Sequence, residues 1–224
     1  MRRVLAVGAH PDDVELGCGG TLAAHRDAGD SVAVLVITGG QNGPGADRER
    51  VLEQEAAAAV LDIDLFWGDL TDGAVTPNAG TVAVIERVLS TTRADVVYVH
   101  AADDSHQDHR AVASATLSAA RKRSRVLHYR SPSTMQFHPT MFVDIADHLD
   151  LKITAVRCHQ SQVEWSSMVD PEVVQASARF FGAQARLRFA EAFEPARFVW
   201  DLQPIPSMGD IHPAVLAPPV RVPA

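Results

Sequence analysis

The chain has 224 residues, 46% hydrophobic and 21% charged, the proportions of one globular domain rather than of a fibre, a coiled coil or a disordered polymer. Its 20 basic residues are outnumbered by 28 acidic ones, for a net charge of -8, and only Arg121-Lys122-Arg123 is a basic cluster, so nucleic acid is not an expected partner. The apolar run from Val4 to Ala9 is too short for a membrane span or a signal-peptide core, and Cys18 and Cys158 define no disulfide framework, so the expectation is a reduced, cytoplasmic protein.

Along the chain, apolar runs rich in Val, Leu and Ile alternate with longer helical patterns. Arg3 to Gly8, Ser31 to Thr38, Asp64 to Trp67, Asp95 to His100 and Arg125 to Tyr129 read as buried strands. Between them, Gly17 to Ala28, Arg48 to Leu61, Gly80 to Thr92 and Gln107 to Ala120 read as helices, which predicts successive βαβ units and a parallel sheet. Met141 to Ile145 reads as a further strand, followed by helices from Ala146 to about Cys158 and from Pro171 to about Phe189. The fold class expected is α/β: a doubly wound, mostly parallel, Rossmann-like sheet in a single domain spanning 1–202. Residues 203–224 carry six of the 13 prolines and read as an extended arm or tail.

Ligands in a doubly wound sheet gather at the carboxyl ends of the strands. Two clusters fall there: His10-Pro11-Asp12-Asp13 after the first strand, and Asp103 to His109 after the strand ending at His100. Two imidazoles and a carboxylate hold a divalent ion while leaving a position open, the arrangement of catalytic zinc. His10, Asp13 and His109 are the candidate ligands for one Zn²⁺ per chain. Asp12 is left to act as general base, and His106, as an imidazolium oriented by Asp108, to stabilise an oxyanion. The plainer reading of each cluster is a strand-to-helix turn with Asp as cap, or acidic residues in a first helical turn. Their joint occurrence on one rim favours the metal. Gly17-Cys18-Gly19-Gly20 lacks dinucleotide spacing and reads as close packing at a helix start. Cys18 reads as a small buried residue. Trp67, Trp165, Met135 and Phe137 are candidates for an apolar sugar platform, each weighed against core or ordinary surface, and His138, before Pro139, is a candidate pocket residue.

The run Ala9-His10-Pro11-Asp12-Asp13-Val14-Glu15-Leu16-Gly17-Cys18-Gly19-Gly20 resembles the signature of the LmbE-like, or PIG-L, zinc-dependent N-deacetylases, and His106-Gln107-Asp108-His109-Arg110-Ala111 is similar to that family's second motif. Arg50 to Ala57, Asp72-Gly73, Lys152 with His159-Gln160-Ser161-Gln162, and Ala190-Glu191-Ala192-Phe193 resemble its lesser motifs. The resemblance covers residues 3 to about 200. It implies an LmbE-like fold, zinc on His10, Asp13 and His109, Asp12 as base and then acid, and His106 at the oxyanion. Arg50, Asp72 and His159, with His138, are then candidates for binding substrate. The implied substrates are N-acetylglucosaminyl compounds: thiol-cofactor precursors, chitooligosaccharides, glycolipid anchors and sugar-bearing antibiotics, so that cofactor or secondary-metabolite biosynthesis is the implied setting. Gln107 stands where Pro is common, Asp62 where Gly often follows Leu, and Gln41-Asn42-Gly43 where some thiol-cofactor enzymes have Arg-Gly; these departures leave the metal ligands untouched and bear on the substrate.

Two other readings compete. His10 and Asp12 with His109 spell the two-His-one-carboxylate set of non-haem iron(II) enzymes, which dependence on oxygen and metal analysis separate from a zinc hydrolase. A non-catalytic nucleotide-binding module on the same fold predicts no metal at all. The expected partner is a small N-acetylated sugar; the sequence sets no oligomeric state and allows a homo-oligomer.

Overall fold

The computed structural model describes residues 1–45 and 47–200. Its strands are β1 Arg3–Gly8, β2 Ser31–Thr38, β3 Asp64–Leu70, β4 Val96–His100, β5 Arg125–Tyr129, β6 Met141–Asp144 and β7 Ala190–Phe198. They form one seven-stranded sheet of order β3-β2-β1-β4-β5-β7-β6. β1 to β5 are parallel neighbours, and β7 is inserted antiparallel between β5 and β6. The helices are α1 Asp13–Asp27, α2 Asp47–Leu61, α3 Ala79–Thr92, α4 Gln107–Ala119, α5 Leu149–Arg157, α6 Gln160–Val163 and α7 Pro171–Ala185.

Successive residues of a strand face opposite sides of the sheet, and the core divides accordingly. Leu5, Val7, Leu35, Ile37, Val97 and Val99 point to one face, where they meet Ile85 of α3 and Val112 of α4. Val4, Ala6, Val34, Val36, Val96 and Tyr98 point to the other, against Cys18 and Leu22 of α1. Both faces of the sheet are therefore covered, which is why the central strands read as continuous apolar runs. Among the described residues no helix is long and apolar enough to cross a membrane.

The sequence pattern starts the first helix at Gly17, whereas the structure starts it at Asp13. The cause is a break: Cys18 has non-helical angles (φ -147°, ψ 16°), so α1 is two helical segments in series. The groups freed by the break are satisfied from elsewhere. Lys152 Nζ donates to the Leu16 carbonyl at 2.7 Å, while the Glu191 carboxylate accepts from the backbone N–H of Gly20 at 3.0 Å and of Thr21 at 2.7 Å and pairs with Lys152. Gly17 and Gly20 let α1 approach its neighbours: a Cβ on Gly17 would lie 2.1 Å from the Tyr129 ring, and one on Gly20 2.9 Å from Ile145. Close packing is thus the role of this glycine cluster, as its lack of dinucleotide spacing suggests.

The last helix ends at Ala185 rather than near Phe189, and residues 190–198, unassigned from the pattern, form β7. Its sequence, AEAFEPARF, is poor in β-formers and interrupted by proline. Pro195 is accommodated because the pairing with β5 shifts register between Val126 and Leu127, and irregularities of this kind are where a sheet admits proline. The arm expected over 203–224 lies outside the described residues.

Candidate active site

Strand order reverses on the two sides of β1, with β2 on one side and β4 on the other, and crevices at the carboxyl ends of such strands are where doubly wound sheets bind ligands. His10 to Asp13 leave β1 here, and the loop from Ala101 to His106 leaves β4. Together they line a cleft of about 560 Å³, with Asn42, Gly43, Arg50, Asp72 and Trp165 among its other walls.

Three side chains converge at its floor. His10 Nδ1 is 3.3 Å from His109 Nε2, His109 Nε2 is 3.3 Å from Asp13 Oδ1, and His10 Nδ1 is 3.4 Å from Asp13 Oδ2. Ligand atoms at about 2.0–2.1 Å around a tetrahedral Zn²⁺ are separated by about 3.3–3.4 Å, so the spacing of these groups suits a divalent cation, with Asp13 meeting the two imidazoles through different carboxylate oxygens. The far nitrogens of both imidazoles are held by carboxylates, as metal-binding histidines generally are. His10 Nε2 lies 3.1 Å from Asp72 Oδ1 and 3.3 Å from Asp108 Oδ2, and His109 Nδ1 lies 3.2 Å from Asp104 Oδ2.

Those carboxylates are themselves anchored. Asp108 accepts from the N–H of Gly73 at 2.7 Å and of Val75 at 3.3 Å, Asp72 from the N–H of Asn42 at 2.8 Å, and Asp104 from the Ser131 hydroxyl at 2.5 Å. Donor atoms of His10, His106 and His109, of Asp13, His100 and His109, and of His10, Asp72 and Asp108 also group within 4.8 Å. The last set uses the nitrogen and carboxylates already engaged with one another, and in the second His100 Nε2 faces the Ala9 N–H at 3.1 Å. The sets formed by His10, Asp13 and His109 and by His10, His106 and His109 both keep facing nitrogens available, and of the two only the first brings a carboxylate.

Charge follows from this packing. Burial opposes protonation of His10, but Asp108, Asp13 and Asp72 outweigh it and hold the ring well above the usual imidazole range. Burial likewise opposes protonation of His109, yet Asp13 and Asp104 raise it to about 9. Asp13 is driven well below the carboxylate range against its own burial, chiefly by His109 and His100. The cluster therefore carries protons where a cation fits, and binding a metal releases them.

Asp12 is unlike its neighbours. It precedes α1 with φ 91° and ψ -27°, and its side chain makes no capping hydrogen bond, so the plain capping role does not apply. Burial and the Asp13 carboxylate raise its pKa, which suits a group that exchanges a proton near neutrality. Its backbone N–H is held by Gln54 Oε1 at 3.2 Å, and Arg50 donates to the carbonyl of Pro11 at 2.9 Å and of Gly40 at 3.0 Å.

The structure revises several expected roles. Asp108 orients His10 rather than His106: only its backbone N–H meets His106, donating to Nδ1 at 3.2 Å. That bond leaves the proton of a neutral His106 on Nε2. Burial, His10 and His109 all lower the His106 pKa, which favours the neutral ring, an N–H donor through Nε2, over the imidazolium. Asp72 lines the cleft but is spent on His10. Arg50 also lines it, braces the Pro11 turn and stands 3.9 Å from Asp12 Oδ1. His138 is exposed and absent from the cleft walls. His159 is fully buried behind the site with Nε2 3.4 Å from Glu15 Oε2, so it cannot touch substrate. Trp165, 74% exposed, does line the cleft, while Trp67 packs against the core. Sequence reasoning passed over Asp104, which reads as one more acidic residue before a helix, and His100, which reads as the end of a strand yet stacks on His109 with centroids 4.0 Å apart.

Fold and site together present a doubly wound sheet whose switch-point cleft holds a group of His and Asp side chains that could bind a metal. A family model described as PIG-L, GlcNAc-PI de-N-acetylase, matches residues 5–120. An uncharacterised deacetylase of Escherichia coli is 34% identical over 168 residues, covering 70% of this chain and 90% of its own. The diacetylchitobiose deacetylase of Thermococcus kodakarensis is 26% identical over 231 residues, covering 89% and 85%. Among solved structures, a conserved protein of Thermus thermophilus aligns with a TM-score of 0.82 at 28% identity over 90% of this chain and 98% of that one. The 4-carboxy-2-hydroxymuconate hydratase of Pseudomonas putida aligns with a TM-score of 0.78 at 21% identity, covering 91% and 100%, which is a likeness of fold alone. The chain belongs to the PIG-L family, and its curated relatives are deacetylases, hydrolases that act on amides.

Proposed function

We propose that the protein is a zinc-dependent N-deacetylase that removes the acetyl group from an N-acetylglucosamine-type sugar or glycoside. The observation that carries this reading is the convergence of His10 Nδ1, His109 Nε2 and the Asp13 carboxylate within 3.4 Å of one another, with the uncapped Asp12 beside them. The diacetylchitobiose deacetylase among its relatives supports the sugar.

A divalent cation held by His10, Asp13 and His109 supplies Lewis-acid chemistry, polarising a carbonyl and acidifying water. Asp12 accepts the proton of the attacking water and returns it to the departing amine, a cycle its raised pKa permits. His106, its Nδ1 fixed by the Asp108 N–H, presents Nε2–H to the oxyanion. Asp72, Asp108 and Asp104 keep both ligand imidazoles in the tautomers that face the cation.

The test is acetate release from a panel of N-acetylated sugars, nucleotide sugars and glycosides by zinc-loaded protein and by chelator-treated protein. The reading requires release that vanishes with the chelator and returns with zinc. Turnover that consumes oxygen would favour the iron alternative. Protein prepared without chelators that holds no metal and releases no acetate would favour a binding module.

A further inference from the structure

A second cavity adjoins the cleft. It measures about 150 Å³ and shares Leu16, Pro132 and Met168 with the cleft walls. Its other apolar walls include Val174 and Phe181 of α7 and Ala192 of β7. Lys152 and Glu191 also border it, but that pair is engaged: Lys152 with the Leu16 carbonyl and Glu191, and Glu191 with the N–H groups of Gly20 and Thr21. Arg130, Ser131 and Ser177 give the cavity a polar side, and Leu16, Val174, Phe181 and Ala192 give it an apolar one. A space of about 150 Å³ is large enough for a benzene ring, and the apolar side is what such a ring would lie against. Met168, on the wall common to both spaces, is 56% exposed, so apolar surface lies open to solvent where a substituent would pass from one to the other.

We infer that this cavity is a subsite for a compact apolar substituent of the substrate, about the size of one six-membered carbon ring. The identity of the substrate rests on the N-deacetylase reading; the affinity of the cavity for a ring does not. The substituent belongs either to the aglycone or to the acyl group, and both sources present the same chemistry to these walls. The competing account is a solvent-filled crevice between α7 and the sheet, which has no affinity for a ring.

The experiment compares kcat/KM of zinc-loaded protein on N-acetylglucosamine, its phenyl β-glycoside and N-benzoylglucosamine, and measures fluorobenzene binding by ¹⁹F NMR. Both are repeated with Ser177→Phe, which fills the cavity from a half-buried wall position with no part in catalysis, and with Val173→Trp as a second filling variant. The phenyl glycoside, or the benzoyl sugar, should exceed N-acetylglucosamine by about tenfold or more, and fluorobenzene should bind. Filling should abolish both effects while leaving kcat/KM on N-acetylglucosamine unchanged. Equal values on all three substrates, no fluorobenzene binding, or a preference that survives both filling variants would overturn the inference. Should no substrate turn over while fluorobenzene binds to wild type and not to the filled variants, the subsite stands and the deacetylase reading falls.

Discussion

Asp12 is held at φ 91°, a conformation that costs a non-glycine residue about 1–3 kcal/mol and persists only where its surroundings enforce it. Gln54 and Arg50 do so from α2, and the gain is a carboxylate released from helix capping and turned toward the cleft. Asp12→Asn should therefore keep its metal and lose about 100-fold to 10,000-fold in turnover; activity within about threefold of wild type, outside that range, would remove the base role. A second contrast separates the residues of the histidine motif. Asp108→Asn weakens the grip on His10 and should lower metal affinity about 10-fold to 100-fold, read by chelator competition. His106→Ala should leave metal affinity unchanged and lower kcat. If the two variants exchanged phenotypes, Asp108 would be the partner of His106 after all. The three converging side chains and Asp12 were legible in the sequence as candidates because they lie within short motifs directly after strands. Asp104 and His100 were not, since their roles depend on which rings pack against them across β4 and α4.

At the scale of elements, the legible strands were those whose β-branched runs are buried on both faces, β1, β2, β4 and β5. β7 escaped because its pairing, and not its residue types, makes it a strand. The same strand supplies Glu191, which stabilises the break in α1 together with Lys152. Both side chains are only 4% exposed, so removing Glu191 leaves the Lys152 charge without its counter-ion and two helix N–H groups without an acceptor. Glu191→Ala should destabilise the protein by about 3–5 kcal/mol in urea unfolding. A loss under about 1 kcal/mol, the scale of a surface pair, would show the pair to be dispensable to the helix.

For the whole molecule, the rim opposite the active site has its own electrostatic tie. Arg3, at the start of β1, donates to Asp95, just before β4, from Nε at 3.1 Å, Nη2 at 2.8 Å and the backbone N–H at 3.1 Å. The Arg3 hydrogen bonds lower the Asp95 pKa against its partial burial. A carboxylate with a lowered folded-state pKa stabilises the fold above its unfolded pKa, about 4, and loses that contribution as pH falls through the folded value. Asp95→Asn should accordingly be less stable than wild type at pH 7, with the gap in Tm closing on acidification below about pH 4. A gap that persisted unchanged at acid pH would mean that the amide disturbs packing and not charge.

The placement of β7 has a consequence for how the protein is made. A ribosome delivers β1 and the His10 that follows it well before the partner strand of β5 and β6, so the sheet has a vacant lane until residues 190–198 emerge. Until then Lys152 lacks its carboxylate, and the Gly20 and Thr21 amides at the break in α1 lack their acceptor. Nascent chains stalled before Ala190 should be cleaved by protease within α1, and those stalled with Phe198 clear of the exit tunnel should resist. The corner around His10 and α1 is, on this account, synthesised before β7 and becomes rigid only after it.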